Sequence, residues 1–191
     1  MFDYKLGIII PYWNNSKEAK ELWNKLQDNL KKQLEYHYDE VIVIVCEDDK
    51  ENPHGLSHQR NLGINELINT CKYILFVDSD DQLEENYIEK MIEATETNAE
   101  LLESIFAIRN NPLPFEPDVL KNRCTGIAIR NDVIGFNRFD EHIKFGEDKE
   151  FMHKIIDLSK MKKVFVDTTY YYNYGFNPEC MTYRWSRGEL K

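Results

Sequence analysis

The sequence predicts an α/β fold: a Rossmann-like, mainly parallel sheet flanked by helices, with a smaller α+β region completing it. Three observations carry that expectation. Short apolar runs of strand length alternate with helix-patterned segments through the first hundred residues. The connections between them are short, as in a βαβ series of parallel strands. Beyond residue 100 the rhythm changes to strand-like runs around a stretch rich in Pro and Asn.

The first strand is expected at residues 5–10 (KLGIII), ended by Pro11. A helix follows, capped by Asn15 or Ser16, with Glu18 placed to complete a capping box on Asn15. Its stripe of Ala19, Leu22, Trp23, Leu26, Leu30 and Leu34 is that of a helix buried on one side. Residues 41–46 (VIVIVC) read as a second strand, Ser57 as the cap of a short helix running to Asn69, and residues 73–77 (YILFV) as a third strand. Tyr87, Ile88, Met91 and Ile92 mark the apolar side of a helix over residues 84–97.

In the back half, 101–108 and 126–130 read as strands linked through 110–117, and 149–159 as a helix with Phe151, Ile155 and Leu158 in register. A strand pair is expected at 164–167 and 169–173. The aromatic string Tyr170, Tyr171, Tyr172, Tyr174 and Phe176 reads as core and surface of an edge strand, or as one ring face turned to a ligand.

A length of 191 residues suits one domain. Such a domain buries roughly 70% of its unfolded surface and needs no disulfide or structural metal. The net charge of −10 argues against nucleic acid, because phosphate contacts demand a basic surface. Basic residues cluster only at Lys160, Lys162 and Lys163 and at Arg184, Arg187 and Lys191. An anionic ligand would therefore need help, and a divalent cation is the obvious help. Cys46, Cys71, Cys124 and Cys180 form no CxxC pair, which suits a reducing compartment. Apolar runs reach about six residues, too short for an integral membrane segment. The N-terminal MFDYKLGIII shows no cleavage site, so a cytoplasmic location is expected.

In an open parallel sheet, ligands bind beyond the carboxyl ends of the strands. The first strand is followed by PYWNN, the second by EDDKEN, the third by DSDD. All three are polar, and two are acidic. In Phe76-Val77-Asp78-Ser79-Asp80-Asp81, carboxylates at i and i+2 after a buried strand can converge on one cation. Carboxylate oxygens with water and substrate phosphates are the ligand set that Mg²⁺ or Mn²⁺ prefers. The bland reading is an Asp/Ser turn capping the helix that follows.

The order IIIPYWN, a strand ending EDD, SHQRNLGI, FVDSDD and FDEHIKFGEDKEF resembles the family-2 glycosyltransferases over about residues 5 to 175. That resemblance implies a GT-A fold and metal-dependent sugar transfer, with inversion, from a nucleotide-diphosphate sugar. A UDP-sugar is the leading donor. It divides the single domain into a nucleotide-binding half (1–100), an acceptor and catalytic half (101–176) and a C-terminal tail (177–191), here imagined to fold over the diphosphate.

Carried onto matching positions, the resemblance places Pro11, Tyr12 and Asn14 beside the nucleobase and ribose, with Tyr12 either stacking on the base or closing the core. Asp48 or Glu47 contacts the nucleoside. Arg60, with Asn61, lies near the diphosphate or ribose; Arg60 otherwise reads as a solvated helix residue paired with Glu66 or a neighbour. Asp78 and Asp80 hold Mn²⁺ or Mg²⁺, with Ser79 at the donor. In Glu147-Asp148 the aspartate is the expected base, and it also sits where a helix N-cap belongs. His153 is off the face of Asp148 and is not expected to join the metal.

Two departures matter. DDKEN replaces the family's DDGS-like turn, and the Gln-x-x-Arg-Trp element of polymerising members is absent, Tyr183-Arg184-Trp185 being only superficially like it. One sugar added per encounter is the expectation. The acceptor (glycan, lipid or protein) is unreadable, its contacts falling in loops 110–123 and 136–144. A sugar nucleotidyltransferase would want a Gly-rich basic loop where PYWNN stands. A non-catalytic module that binds a nucleotide sugar or a partner is the remaining alternative.

Overall fold

The computed structural model describes residues 2–13, 16–49, 51, 53–109, 123–155 and 161–173. Asn14, Asn15, the 110–122 stretch and the tail from residue 174 lie outside these, and with them the expectations placed there.

Strand β1 (Tyr4–Tyr12) leads to α1 (Lys17–Leu34), β2 (Val41–Glu47), α2 (Leu56–Leu67) and β3 (Cys71–Phe76). A short β4 (Gln82–Leu83), α3 (Tyr87–Thr95), β5 (Leu101–Arg109), β6 (Ile127–Arg130), α4 (Asn131–Ile134), α5 (Glu147–Ile155) and β7 (Lys163–Asn173) follow. Among the described residues the strands form one seven-stranded sheet, ordered β2-β1-β3-β6-β5-β7-β4. β1 runs parallel to β2 and β3, whereas β6 is antiparallel to both β3 and β5. β5, and with it the parallel β7, therefore points the same way as β1 to β3. The carboxyl ends of five strands thus share one edge of the sheet, and the site is built there.

Both faces are covered, as a mainly parallel sheet requires. Period-two alternation sends Leu6, Ile8, Ile10 and Tyr12 into the core shared with α1 and α3, through Trp23, Leu26, Ile88 and Met91. Ile9 and Ile74 go to the opposite core, with Ile64 of α2, Ile134 of α4 and Phe151 of α5. Gly63 lets α2 approach β1: a Cβ there would lie 2.5 Å from Ile9 Cγ2. That closeness brings Arg60, one turn earlier on α2, to the site.

Some local expectations are met and others are corrected. Ser16 caps α1, its hydroxyl accepting from Ala19 N–H at 3.0 Å. Ser57 lies inside α2. The helix expected from residue 84 starts at Tyr87, because Gln82–Leu83 pairs with β7 and the Glu84 carboxylate accepts from Thr169 N–H at 2.7 Å. The expected strand pair is one strand, β7, whose register against β5 shifts between Ser104 and Ile105. A bulge at Asp167 and Thr168 absorbs the irregularity that resembled a turn in sequence. No helix among the described residues is long and apolar enough to cross a membrane.

Candidate active site

The centre of the site is Arg60, whose residue surface is 1% exposed. Burying a guanidinium is tolerable only when carboxylates surround it, and three do. Nη2 donates to Asp78 Oδ1 at 3.0 Å, and Nη1 to Glu147 Oε1 at 3.3 Å and to Asp148 Oδ1. The Phe139 ring lies beneath the guanidinium, 5.2 Å from Cζ. The solvated-helix reading of Arg60 is thereby excluded. One side chain of α2 joins the turn after β3 to the first turn of α5.

Asp148 is the second residue of α5, so it is not the N-cap. Its Oδ2 accepts from Cys124 N–H at 3.2 Å, leaving the carboxylate held at both oxygens and still partly exposed. Glu147 is buried, and that burial together with the Asp148 charge pushes its carboxyl up to about 7 against the pull of Arg60.

Asp78, Ser79 and Asp80 are half-buried. Burial raises the Asp78 carboxyl to about 6; Arg60 opposes this, and the charges of Asp148 and Asp80 add to it. Asp78, Asp80 and Asp148 thus lie close enough to act on one another's charge around the single Arg60. Among the described residues no group of three or more His, Cys, Asp and Glu could hold a metal on its own. Two carboxylates in an electron-rich turn nevertheless fit Mg²⁺ or Mn²⁺, which complete their shells with water and substrate phosphate. His153 is exposed on α5.

Asp48 is buried, and its carboxylate organises the segment entering α2. Oδ1 accepts from the N–H groups of Asp49 and His54 at 3.0 and 2.9 Å, and Oδ2 from Gly55 N–H at 2.9 Å. Burial would raise its pKa, but these donors win and lower it. Glu47, at the end of β2, is exposed beside Tyr12. Asn61 clamps the loop before α5: its Nδ2 donates to Phe139 O at 3.0 Å and its Oδ1 accepts from Phe139 N–H at 2.9 Å. Its Nδ2 also donates to Glu141 Oε1 at 2.9 Å. Tyr12 is 9% exposed and stacks on Trp23, ring centroids 4.9 Å apart, behind the buried Pro11. The next residue, Trp13, is 44% exposed at the carboxyl edge.

Sequence reasoning missed Trp13, Cys124 and Asn173, whose Nδ2 donates to Asp80 O. For Trp13 a signal existed: the period of two that assigns Tyr12 to the core with Ile8 and Ile10 frees its neighbour. Cys124 contributes only a backbone N–H, which no sequence pattern reveals.

A mainly parallel sheet with acidic residues at its carboxyl edge, one pair after β3 and one opening α5, is the arrangement expected from the resemblance to GT-A glycosyltransferases. The model for "Glycosyl transferase family 2" matches residues 45–146, more than half of the chain, and the chain belongs to that family. A search of curated protein sequences found no match. Among solved structures, S. aureus TarS 1–349 in complex with UDP is similar at a TM-score of 0.72 and 18% identity, over 92% of this chain and 61% of that one. The same protein in complex with UDP-GlcNAc gives 0.71 and 17%, over 88% and 58%. The catalytic domain of Drosophila β1,4-galactosyltransferase 7, complexed with xylobiose, gives 0.60 and 15%, over 85% and 64%. The chain spans about three fifths of TarS 1–349.

Proposed function

We propose that this chain transfers a sugar from a nucleotide-diphosphate sugar, a UDP-sugar first among candidates, to an acceptor hydroxyl with inversion. The observation that carries this is the Arg60 hub: the candidate cation carboxylate Asp78 and the candidate base Asp148 meet on one buried guanidinium. Family membership and the fold shared with UDP- and UDP-GlcNAc-bound TarS support the donor class.

In this reading Asp78 and Asp80 hold Mn²⁺ or Mg²⁺, which supplies positive charge to the departing nucleoside diphosphate. Asp148 accepts the acceptor hydroxyl's proton as the oxygen attacks the anomeric carbon. A carboxylate has about four acceptor positions, so the bonds to Arg60 and Cys124 N–H orient Asp148 and leave capacity for the hydroxyl. The Trp13 ring and the Glu47 carboxylate take the nucleoside, since Tyr12 and Asp48 are engaged in core and loop. Residues 1–100 are the donor half and 101–176 the catalytic half of one domain. Buried, free Cys46, Cys71 and Cys124 accord with a cytoplasmic place.

Calorimetric titration of UDP into metal-stripped protein, with and without Mn²⁺, tests the donor site. Binding should require Mn²⁺, and Asp80→Ala should weaken it by about tenfold or more, ~1.4 kcal/mol. Asp148→Asn should keep UDP affinity yet lower donor turnover by roughly 10²- to 10⁴-fold. UDP binding indifferent to metal and to Asp80 would sink this assignment.

A further inference from the structure

The acidic turn carries a third carboxylate, Asp81, which is completely buried. Both of its oxygens are held by β7. Oδ2 accepts from the Tyr170 hydroxyl at 2.6 Å, and Oδ1 from Asn173 N–H at 2.9 Å. The same two β7 residues also grip the aspartates assigned to the cation. Tyr170 Oη accepts from Asp78 N–H at 3.1 Å, and Asn173 Nδ2 donates to Asp80 O at 2.7 Å. Within the turn, Asp81 N–H donates to Asp78 O at 3.1 Å.

Tyr170 is itself immobilised. Its ring lies parallel to Phe106 at 5.6 Å and edge-on to Tyr87 at 6.4 Å, and its backbone pairs with Leu83 of β4 and Phe106 of β5. A bare turn has no need of a fully buried carboxylate, whose desolvation is expensive unless specific partners repay it. Here the partners are shared with the backbone atoms from which the Asp78 and Asp80 side chains spring.

We propose that Asp81 and Tyr170, assisted by Asn173, are positioning residues that set the spacing of the Asp78 and Asp80 carboxylates and thereby the affinity for the divalent cation. The proposal rests on the cation assignment made above and adds to it a role for β7. Neither Asp81 nor Tyr170 needs to touch the ion. Outer partners that orient metal-binding side chains commonly govern affinity by 10- to 100-fold.

The test is titration of Mn²⁺ into the full chain with saturating UDP, following the loss of the free-ion electron paramagnetic resonance signal. Tyr170→Phe removes one oxygen and keeps the ring in its stack. Its Mn²⁺ dissociation constant should rise roughly tenfold, with metal-free thermal unfolding within a few degrees of wild type. Asn173→Ala, which frees the Asp80 carbonyl, should shift affinity in the same direction by less. If wild type takes up Mn²⁺ and both variants bind it equally well, the positioning role is overturned and the cation assignment stands. If wild type takes up no Mn²⁺ in the presence of UDP, the cation assignment falls, and this proposal with it.

Discussion

Arg60 is the residue on which most depends. Its charge is buried and matched by three carboxylates, so replacing it leaves Asp78, Glu147 and Asp148 to repel one another out of water. Arg60→Met should destabilise the protein by about 3–5 kcal/mol in urea unfolding. Lysine is a poor substitute, since one ammonium cannot present the guanidinium's fork to partners on two sides. Glu147 carries the pH dependence. Its carboxyl is pushed up from 4.5 to about 7, chiefly by burial, so the fold favours its protonated form. The corresponding stability is fully present below about pH 4.5 and is lost as pH rises through about 7. Metal-free protein should therefore melt at a lower temperature at pH 8 than at pH 5.5, and Glu147→Gln should flatten that slope. Asp78, raised to about 6, contributes in the same direction and leaves a residual slope in the variant.

At the scale of elements, α2 is placed by two unlike devices. Gly63 admits the helix against Ile9, and Asp48 supplies acceptors for the N–H groups of His54 and Gly55 at its entrance. Gly55 has no side chain with which to cap α2, and Asp48 fixes the two residues that lead into the helix. Asp48→Ala should lower stability by about 1–3 kcal/mol, the cost of leaving the N–H groups of His54 and Gly55 without their acceptor. Glu47→Gln should leave stability unchanged and weaken UDP binding, because Glu47 is exposed at the proposed nucleoside site. Chemical unfolding and UDP titration of both variants separate scaffold from ligand contact. If Asp48→Ala loses UDP affinity at full stability, the two assignments exchange. Gly63→Ala should cost about 1–3 kcal/mol through overpacking and should also weaken UDP binding, since it displaces the helix that carries Arg60.

For the whole molecule, the site ties the two halves together. Arg60 comes from α2, Asp78 and Asp80 from the turn after β3, Asp148 from α5, and the clamps on that turn from β7. A ligand bound there stabilises both halves at once. UDP with Mn²⁺ at 100 times the dissociation constant should add about 2.7 kcal/mol to unfolding, and chelation should remove it. Scanning calorimetry with and without chelator would show this as a single transition moving as a unit. A shift confined to one of two transitions would contradict a shared site.

Much of this architecture was legible in one dimension. The βαβ rhythm, the one-sided helix stripe of Ala19 to Leu30 and the acidic runs after β2 and β3 follow from periodicity and local chemistry, which a sequence displays directly. So does the nomination of Asp78 and Asp80, whereas Glu147 and Asp148 were nominated by the family resemblance. The short β4, the bulge that makes β7 one strand, and the parallel return of β5 and β7 were not legible, because each depends on partners distant along the chain. The same distinction runs through the site. Sequence chemistry and the family resemblance nominated the carboxylates proposed to act. Only the tertiary structure decided that Arg60, burying its charge, must gather three of them, that Asp48 and Asn61 serve the scaffold's hydrogen bonds, and that Asp81 binds β7. The physical reason is common to all: buried charges and backbone groups must find partners, and which partner is within reach is a property of the folded chain.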